Sequence, residues 1–300
     1  MMRIGIDLGG TKIAGIAMSD DDQVLSVARV PTPRGDYKGS ILAISAMVNE
    51  LADRANITDY SVGIGMPGSI SPVTGKVQNA NSTWINDRHF QSDLETALEC
   101  SVRLANDANC LAVSEAYDGA GQGLSSVFGV ILGTGCGGGL VINGTAVSGR
   151  HSIGGEWGHN PLPWAKGSEL PGPACWCGRT GCLETWLSGP ALSTDHHAWT
   201  GTQLPAEEIG FNASAGDSDA IATLARHLDR CGRGLAHVVN IVDPDIIVLG
   251  GGLSGLHGLV ERLPGAIAPY VFADAVDIRV EAAKHGPESG VRGAARLWSQ

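Results

Sequence analysis

Apolar runs occupy residues 2–8 (MRIGIDL) and 12–18 (KIAGIAM), joined by Gly-Gly-Thr, and QVLSVARV follows after the turn SDDD. This pattern predicts a meander of three strands. Over residues 38–55 the apolar positions fall three and four apart, the spacing of an amphipathic helix. A strand-like SVGIGMPG comes next, then a polar loop containing NANSTW. DLETALEC predicts a short helix, VRLAND a strand ending in polar residues, and 108–120 a further helix.

A second set of strands opens near residue 126, where SVFGVILG and GGGLVING flank the glycine run TGCG. The strand, glycine turn, strand arrangement of the N-terminal half thus recurs as a weak internal duplication. A helix is expected near 182–188, a polar and mobile stretch over 196–217, and a long helix over 218–241. DIIVLGGG reads as a buried strand, GLVERLPGAIA as a helix interrupted by Pro264, VDIRVEAA as a late strand and SGVRGAARLW as a short helix. Strands in two groups with helices between them indicate an α/β fold of two lobes. A ligand is expected in the cleft between them.

The chain has 300 residues, enough for one large or two medium domains. Its 43 glycines are about twice ordinary usage, and they sit in short runs after apolar segments rather than in a repeat. Such turns let the backbone approach a ligand closely. A net charge of −11 without a basic stripe argues against nucleic acid as a partner. The N-terminus opens on a strand rather than a charged leader with an apolar core, and no apolar run reaches the roughly 18–20 residues of a spanning helix. A soluble, cytoplasmic protein with no membrane partner is expected.

Three of the seven cysteines, Cys175, Cys177 and Cys182, fall within eight residues, and His159 lies sixteen positions before the first. Three thiolates and one imidazole form a common closed tetrahedral zinc set, and the intervening PLPWAKGSELPGPA is loop-like enough to fold back. Core or redox cysteines beside an unrelated histidine are the plainer reading. Four protein ligands leave no open position for water, so zinc here is expected to be structural.

Chemistry must then be sought around that loop. Asp7 ends the first strand directly before Gly9, Gly10, Thr11 and Lys12. Backbone amides of such a turn can meet a phosphate, and Asp7 can hold Mg²⁺ directly or through water. An ordinary hairpin turn fits equally well. The spacing matches neither GxxxxGK[ST] nor GxGxxG. Gly133, Thr134 and Gly135 with Gly137–Gly139 form a second such turn, and Gly250–Gly252 with Gly251 at its centre a third. Asn106 and Asp107 end one strand and open a helix, so Asp107 is either an N-cap or a general base facing the cleft. Glu156, His159 and Glu184 can accept hydrogen bonds from several hydroxyls, as a polyol requires. Asn79, Asn81 and Ser82 supply further polar groups, or serve as turn residues.

Taken in order, DLGGTK, GMPG, LANDANC, ILGTGCGGG, GEWGHN, CWCGRTGCLET, DPDIIVLGGG and KHGPESGVRGAA resemble the ROK family of bacterial sugar kinases and repressors over nearly the whole chain. The resemblance implies an actin-like ATPase (ribonuclease-H-like) fold, ATP and Mg²⁺, a structural Zn²⁺, and commonly a homodimer. It implies Asp107 as catalytic base and Gly68, Asn81, Asn106, Glu156, His159 and Glu184 at the sugar. Asp7, Gly9, Gly10, Thr11, Lys12, Gly133, Thr134, Gly135 and Gly251 are implied on the nucleotide side, and His159, Cys175, Cys177 and Cys182 at zinc. The lobes are expected at 1–119, completed by a C-terminal helix at about 288–300, and at 120–287. Family repressors carry a helix-turn-helix domain before DLGGTK, and only six residues precede Asp7 here, which favours the kinase. NANSTW and GEWGHNPLPW look most like the fructokinase (manno(fructo)kinase) branch, which implies D-fructose phosphorylated at its 6-hydroxyl, with mannose or glucose as lesser substrates. The alternatives are an N-acetylglucosamine kinase, whose segment after GMPG is expected to lack ANSTW, an N-acetylmannosamine kinase, and a sugar sensor without turnover.

Overall fold

The computed structural model describes residues 2–299; Met1 and Gln300, the outer ends of the range expected for the first lobe, lie outside the described residues. The expected meander forms as β1 (Met2–Leu8), β2 (Lys12–Met18) and β3 (Val24–Pro31). Helix α1 (Tyr37–Ala55) follows, its first turn capped by the Asp36 carboxylate accepting from the Gly39 amide. Left-handed Asn56 ends it. Ile44, Met47, Val48 and Leu51 form the buried stripe that the spacing predicted, packed against the first sheet. Trimming Leu51 to Ala would cost about 2–5 kcal/mol.

Strand β4 (Tyr60–Met66) then runs parallel to β1. A small ribbon of β5 (Ser69–Ile70) and β6 (Val77–Gln78) precedes α2 (Phe90–Leu98) and β7 (Val102–Asn106), which completes the sheet in the order β3-β2-β1-β4-β7. Helix α3 (Asp107–Asp118) leads from this sheet to the second. There β8 (Ser126–Leu132), β9 (Cys136–Ile142) and β10 (Thr145–Ala146) make another antiparallel meander.

After a long loop come α4 (Glu184–Leu187), α5 (Gly189–Thr200), α6 (Ala206–Ser214) and α7 (Ser218–Val242). Strand β11 (Ile246–Gly250), α8 (Leu259–Ile267), β12 (Val280–Ala282) and α9 (Ser289–Ala295) finish the chain. The second sheet has the order β10-β9-β8-β11-β12, with β11 parallel to both β8 and β12. It repeats the first sheet strand for strand, so the weak duplication in sequence is a full duplication in topology.

Three expectations need correction. Residues 196–217 are largely helical, because Ser188 caps α5, left-handed Gly201 ends it, and Leu192 and Ile209 anchor α5 and α6 in the core. Pro264 does not interrupt α8, since Leu259, Leu263 and Ile267 bury one face on either side of it. The late strand is only Val280–Ala282; the exposed residues 272–277 before it form no ladder.

Helix α9 crosses back to the first sheet and packs on β1 and β4. The approach is close enough to require glycine. A Cβ on Gly63 would lie 1.9 Å from the Ala294 carbonyl oxygen, and one on Gly293 would lie 1.7 Å from that of Cys110 in α3. Sheet, α3 and α9 are thereby locked together behind the carboxyl ends of β1, β4 and β7, where the cleft opens.

Candidate functional site

The cleft encloses about 390 Å³. One wall is the turn after β1 with Gly9, Gly10 and Thr11; Gly68, Asn79 and Asn81 lie beside it. Asn106 and Asp107 come from the end of β7 and the start of α3. Thr134 and Gly135 lie in the turn between β8 and β9, Glu156 and His159 come from the loop after β10, and Glu184 opens α4. Twelve of the residues that the resemblance implies at sugar or nucleotide therefore share one cavity, and Asn79 and Ser82 line it with them. Asp7, Lys12, Gly133 and Gly251 do not line it. Asp7 is set back at the end of β1, and Gly251 follows β11 against the Leu132 backbone. Gly133 accepts from the Gly189 amide at 2.7 Å, which ties α5 to the glycine turn.

The N-cap role offered for Asp107 falls instead to Asn106. Asn106 is the N-cap: its Oδ1 accepts from the Ala108 amide at 2.9 Å, and its Nδ2 donates to the Gly68 carbonyl at 3.3 Å. Asp107 is the first helical residue, with Oδ1 accepting from Ala108 at 2.8 Å. Burial pushes its carboxyl up to about 6, against the opposing pull of backbone amides. Asp7 is pushed to about 7, by burial first and then by the Asp107 charge, with Lys12 opposing. Two half-buried acids without a guanidinium partner fit a divalent cation, which would relieve both the desolvation and the repulsion. Glu156 is also raised to about 7 by burial, Asp107 and Glu184.

Glu184 is held at both oxygens. Oε2 accepts from the Cys136 amide at 3.0 Å, and Oε1 accepts from the indole N–H of Trp176 at 2.6 Å. Trp157 fixes the GEWGH turn to β9 by donating to the Gly137 carbonyl at 2.9 Å and by an edge-to-face contact with Phe128.

The loop after Glu156 brings His159, Cys175, Cys177 and Cys182 together, with all four ligand atoms within 4.8 Å of one another. Cys177 and Cys182 sulfurs lie 3.6 Å apart, as do Cys175 Sγ and His159 Nδ1. Ligand bonds of about 2.3 Å give tetrahedral edges near 3.8 Å, so the donor set fits zinc in both chemistry and size. With Nδ1 turned to the thiols, Nε2 is the ring's remaining polar atom, and His159 also lines the cleft. The sequence reading had missed Trp176, Trp84 and Arg34, which line the same cavity. Their spacing carried no signal; only the folded loops bring them in.

The ROK family model matches residues 3–300. The chain belongs to the ROK family. An N-acetyl-D-glucosamine kinase from Yersinia enterocolitica is 38% identical over 300 residues, covering 99% of both chains. One from Escherichia coli O127:H6 is 40% identical over 304 residues with the same coverage. Among solved structures, a ROK hexokinase from Thermus thermophilus superposes with a TM-score of 0.85 at 34% identity, covering 98% of this chain and 97% of that one. A ROK family glucokinase from Streptomyces griseus, in complex with glucose and AMPPNP, gives 0.83 at 29% identity, covering 99% of each. The relatives bear out the ROK sugar-kinase resemblance and its fold, and they carry the name of the alternative sugar rather than of fructose. No helix among the described residues is long and apolar enough to cross a membrane.

Proposed function

We propose that this ROK sugar kinase transfers the γ-phosphoryl group of ATP to the 6-hydroxyl of an N-acetylhexosamine, N-acetyl-D-glucosamine first. The observation that carries the reaction is Asp107: a half-buried carboxylate at a helix start, raised to about 6, lining a cavity with hydroxyl-binding groups. A general base works best with a pKa near the operating pH. Asn106, Glu156, His159 Nε2 and Glu184 hold the sugar, with Gly68 and Asn81 beside them. The 6-oxygen attacks the γ-phosphorus in line, its proton passes to Asp107, and the bond to the leaving ADP oxygen breaks. Mg²⁺ held by Asp7, directly or through water, would neutralise developing phosphate charge. Gly9, Gly10, Thr11, Lys12, Gly133, Thr134, Gly135 and Gly251 form the nucleotide side. The lobes, 1–119 with the C-terminal helix and 120–287, close over both substrates and exclude water. His159, Cys175, Cys177 and Cys182 would hold a zinc ion, which would order the loop that carries His159.

The choice of sugar is supported by relatives at 38% and 40% identity named N-acetyl-D-glucosamine kinase. A second reading, a kinase of unmodified hexoses, is favoured by the similarity to the hexokinase and glucokinase structures. ADP release should be measured with fructose, mannose, glucose, N-acetylglucosamine and N-acetylmannosamine. The highest kcat/KM is expected for N-acetylglucosamine. A preference for fructose would restore the fructokinase reading, and ADP release independent of any sugar would overturn the kinase.

A further inference from the structure

Trp176 sits between Cys175 and Cys177 and is still 54% exposed. A large indole left half in water inside a Cys-X-Cys turn has no packing role to explain it. Its two contacts both lead to residues of the cleft. The N–H donates to Glu184 Oε1 at 2.6 Å, and the ring meets His159 edge-on, with centroids 5.0 Å apart at 86°. The indole also lines the cavity itself.

The first contact fixes a carboxylate that otherwise has one tether. Glu184 Oε2 is held by the Cys136 amide at the start of β9. With that bond alone the carboxylate could still turn about it. A second donor on the other oxygen fixes the plane, and each oxygen keeps a lone pair for a sugar hydroxyl. Hydrogen bonds to a charged acceptor are short and about twice as strong as neutral ones. The second contact sets the other sugar residue, since an aromatic edge against a ring restrains its rotation. Cys175 and Cys177 flank the indole on either side, so whatever orders those thiols orders Trp176 too.

We propose that Trp176 is a positioning residue for the sugar: it fixes Glu184 and His159, and it transmits the order of the Cys3His loop to the substrate. The inference rests on the sugar-kinase reading above. The indole N–H is the working part, and the ring supplies the contact to His159.

Trp176→Phe removes the N–H and keeps a ring. For the sugar that the wild type turns over best, KM should rise roughly tenfold, the low end of what a hydrogen bond to a charged group contributes. The kcat, the KM for ATP, the Tm and the zinc bound per chain should stay within about twofold or unchanged, because an interaction made equally in ground and transition states moves KM alone. Sugar should also change the intrinsic fluorescence of the wild type, and most of that change should vanish in Trp176→Phe. Trp176→Ala should add a loss of zinc retention during dialysis against a mild chelator. An unchanged sugar KM in Trp176→Phe overturns the proposal, as does a loss of zinc or Tm in that variant parallel to the KM change. A wild type that releases no ADP with any sugar fails the kinase reading itself, and the fluorescence titration then decides Trp176 separately: an undiminished sugar signal in the variant overturns its role.

Discussion

Asp107, half-buried at the cleft, and Glu169, buried in a loop, are two acids of the same molecule with opposite surroundings. Asp107 faces the cleft with backbone amides and no guanidinium, and burial raises it to about 6. Glu169 lies in the loop between His159 and the cysteines, where burial would likewise push it up. There Arg233 and Arg230, with the Lys166 amide, outweigh burial and hold it near 2. Arg233 donates to both of its oxygens at 2.8 and 2.7 Å, and Arg230 Nε donates at 3.0 Å. Asp195 takes a further bond from Arg230, and Asp229 one from Arg233. The ion-paired acid fastens the Cys3His loop to α7. The acid without a cation is the one proposed to move a proton. Desolvation thus goes with structure where a cation answers it, and with the proposed chemistry where none does.

The sharpest way to break this contrast is Asp107→Asn. Loss of the base should lower kcat by at least about 10²-fold, measured by ADP release, while the fold survives and Tm holds or rises. A near-normal rate would remove Asp107 from the mechanism. Glu169→Gln should do the reverse. It leaves Arg233, whose side chain is 0% exposed, with Asp229 as its remaining carboxylate. Stability should fall by about 3 kcal/mol and Tm by roughly 6 °C, with kcat of the folded fraction retained. An unchanged Tm would show that the ion network fastens nothing.

The two acids also predict opposite responses to pH. Asp107 must be ionised to act, so kcat/KM should fall about tenfold per unit below pH 6. For stability the sign is inverted. The folded value of Asp107 is above the ordinary value of 3.8, so its contribution is fully present below that value and is lost as pH rises through about 6. The folded value of Glu169 is below 4.5, so its contribution is present above 4.5 and is lost as pH falls toward about 2. A pH–rate profile without an acidic limb near 6 would contradict the assignment of the base. The smallest effect is expected from metal removal. With Glu169 still fastening the loop, a chelated or Cys177→Ala protein should stay folded with a lower Tm, and its sugar KM should rise severalfold. Unchanged sugar KM in verified zinc-free protein would separate the metal from the sugar pocket.

Most of what faces the cleft was legible because it follows strands. Glycines after β1 and β8, and polar residues at the end of β7, announce themselves by breaking an apolar run. The Cys3His set was legible from spacing alone. Glu169 was not, since its partners lie 61 and 64 residues away and its own neighbourhood reads as loop. Trp176 was equally silent, because any residue can stand between two cysteines. Helices α5 and α6 were misread as a mobile stretch, as polar surface outweighed the few apolar anchors in each. The sugar was beyond residue chemistry: Asn, Glu and His accept hydroxyls of any hexose, and NANSTW pointed to a different branch than the relatives do.

The seat of α9 on the first sheet has a consequence for biosynthesis. Strands β1 and β4 are made early, yet the helix that covers their glycines ends at Ala295. On the ribosome this face stays bare while the whole second sheet is made. The N-terminal half therefore cannot finish folding as it emerges, and it waits for α9. A chain truncated shortly before residue 289 would keep the residues of both sheets and leave the first one uncovered.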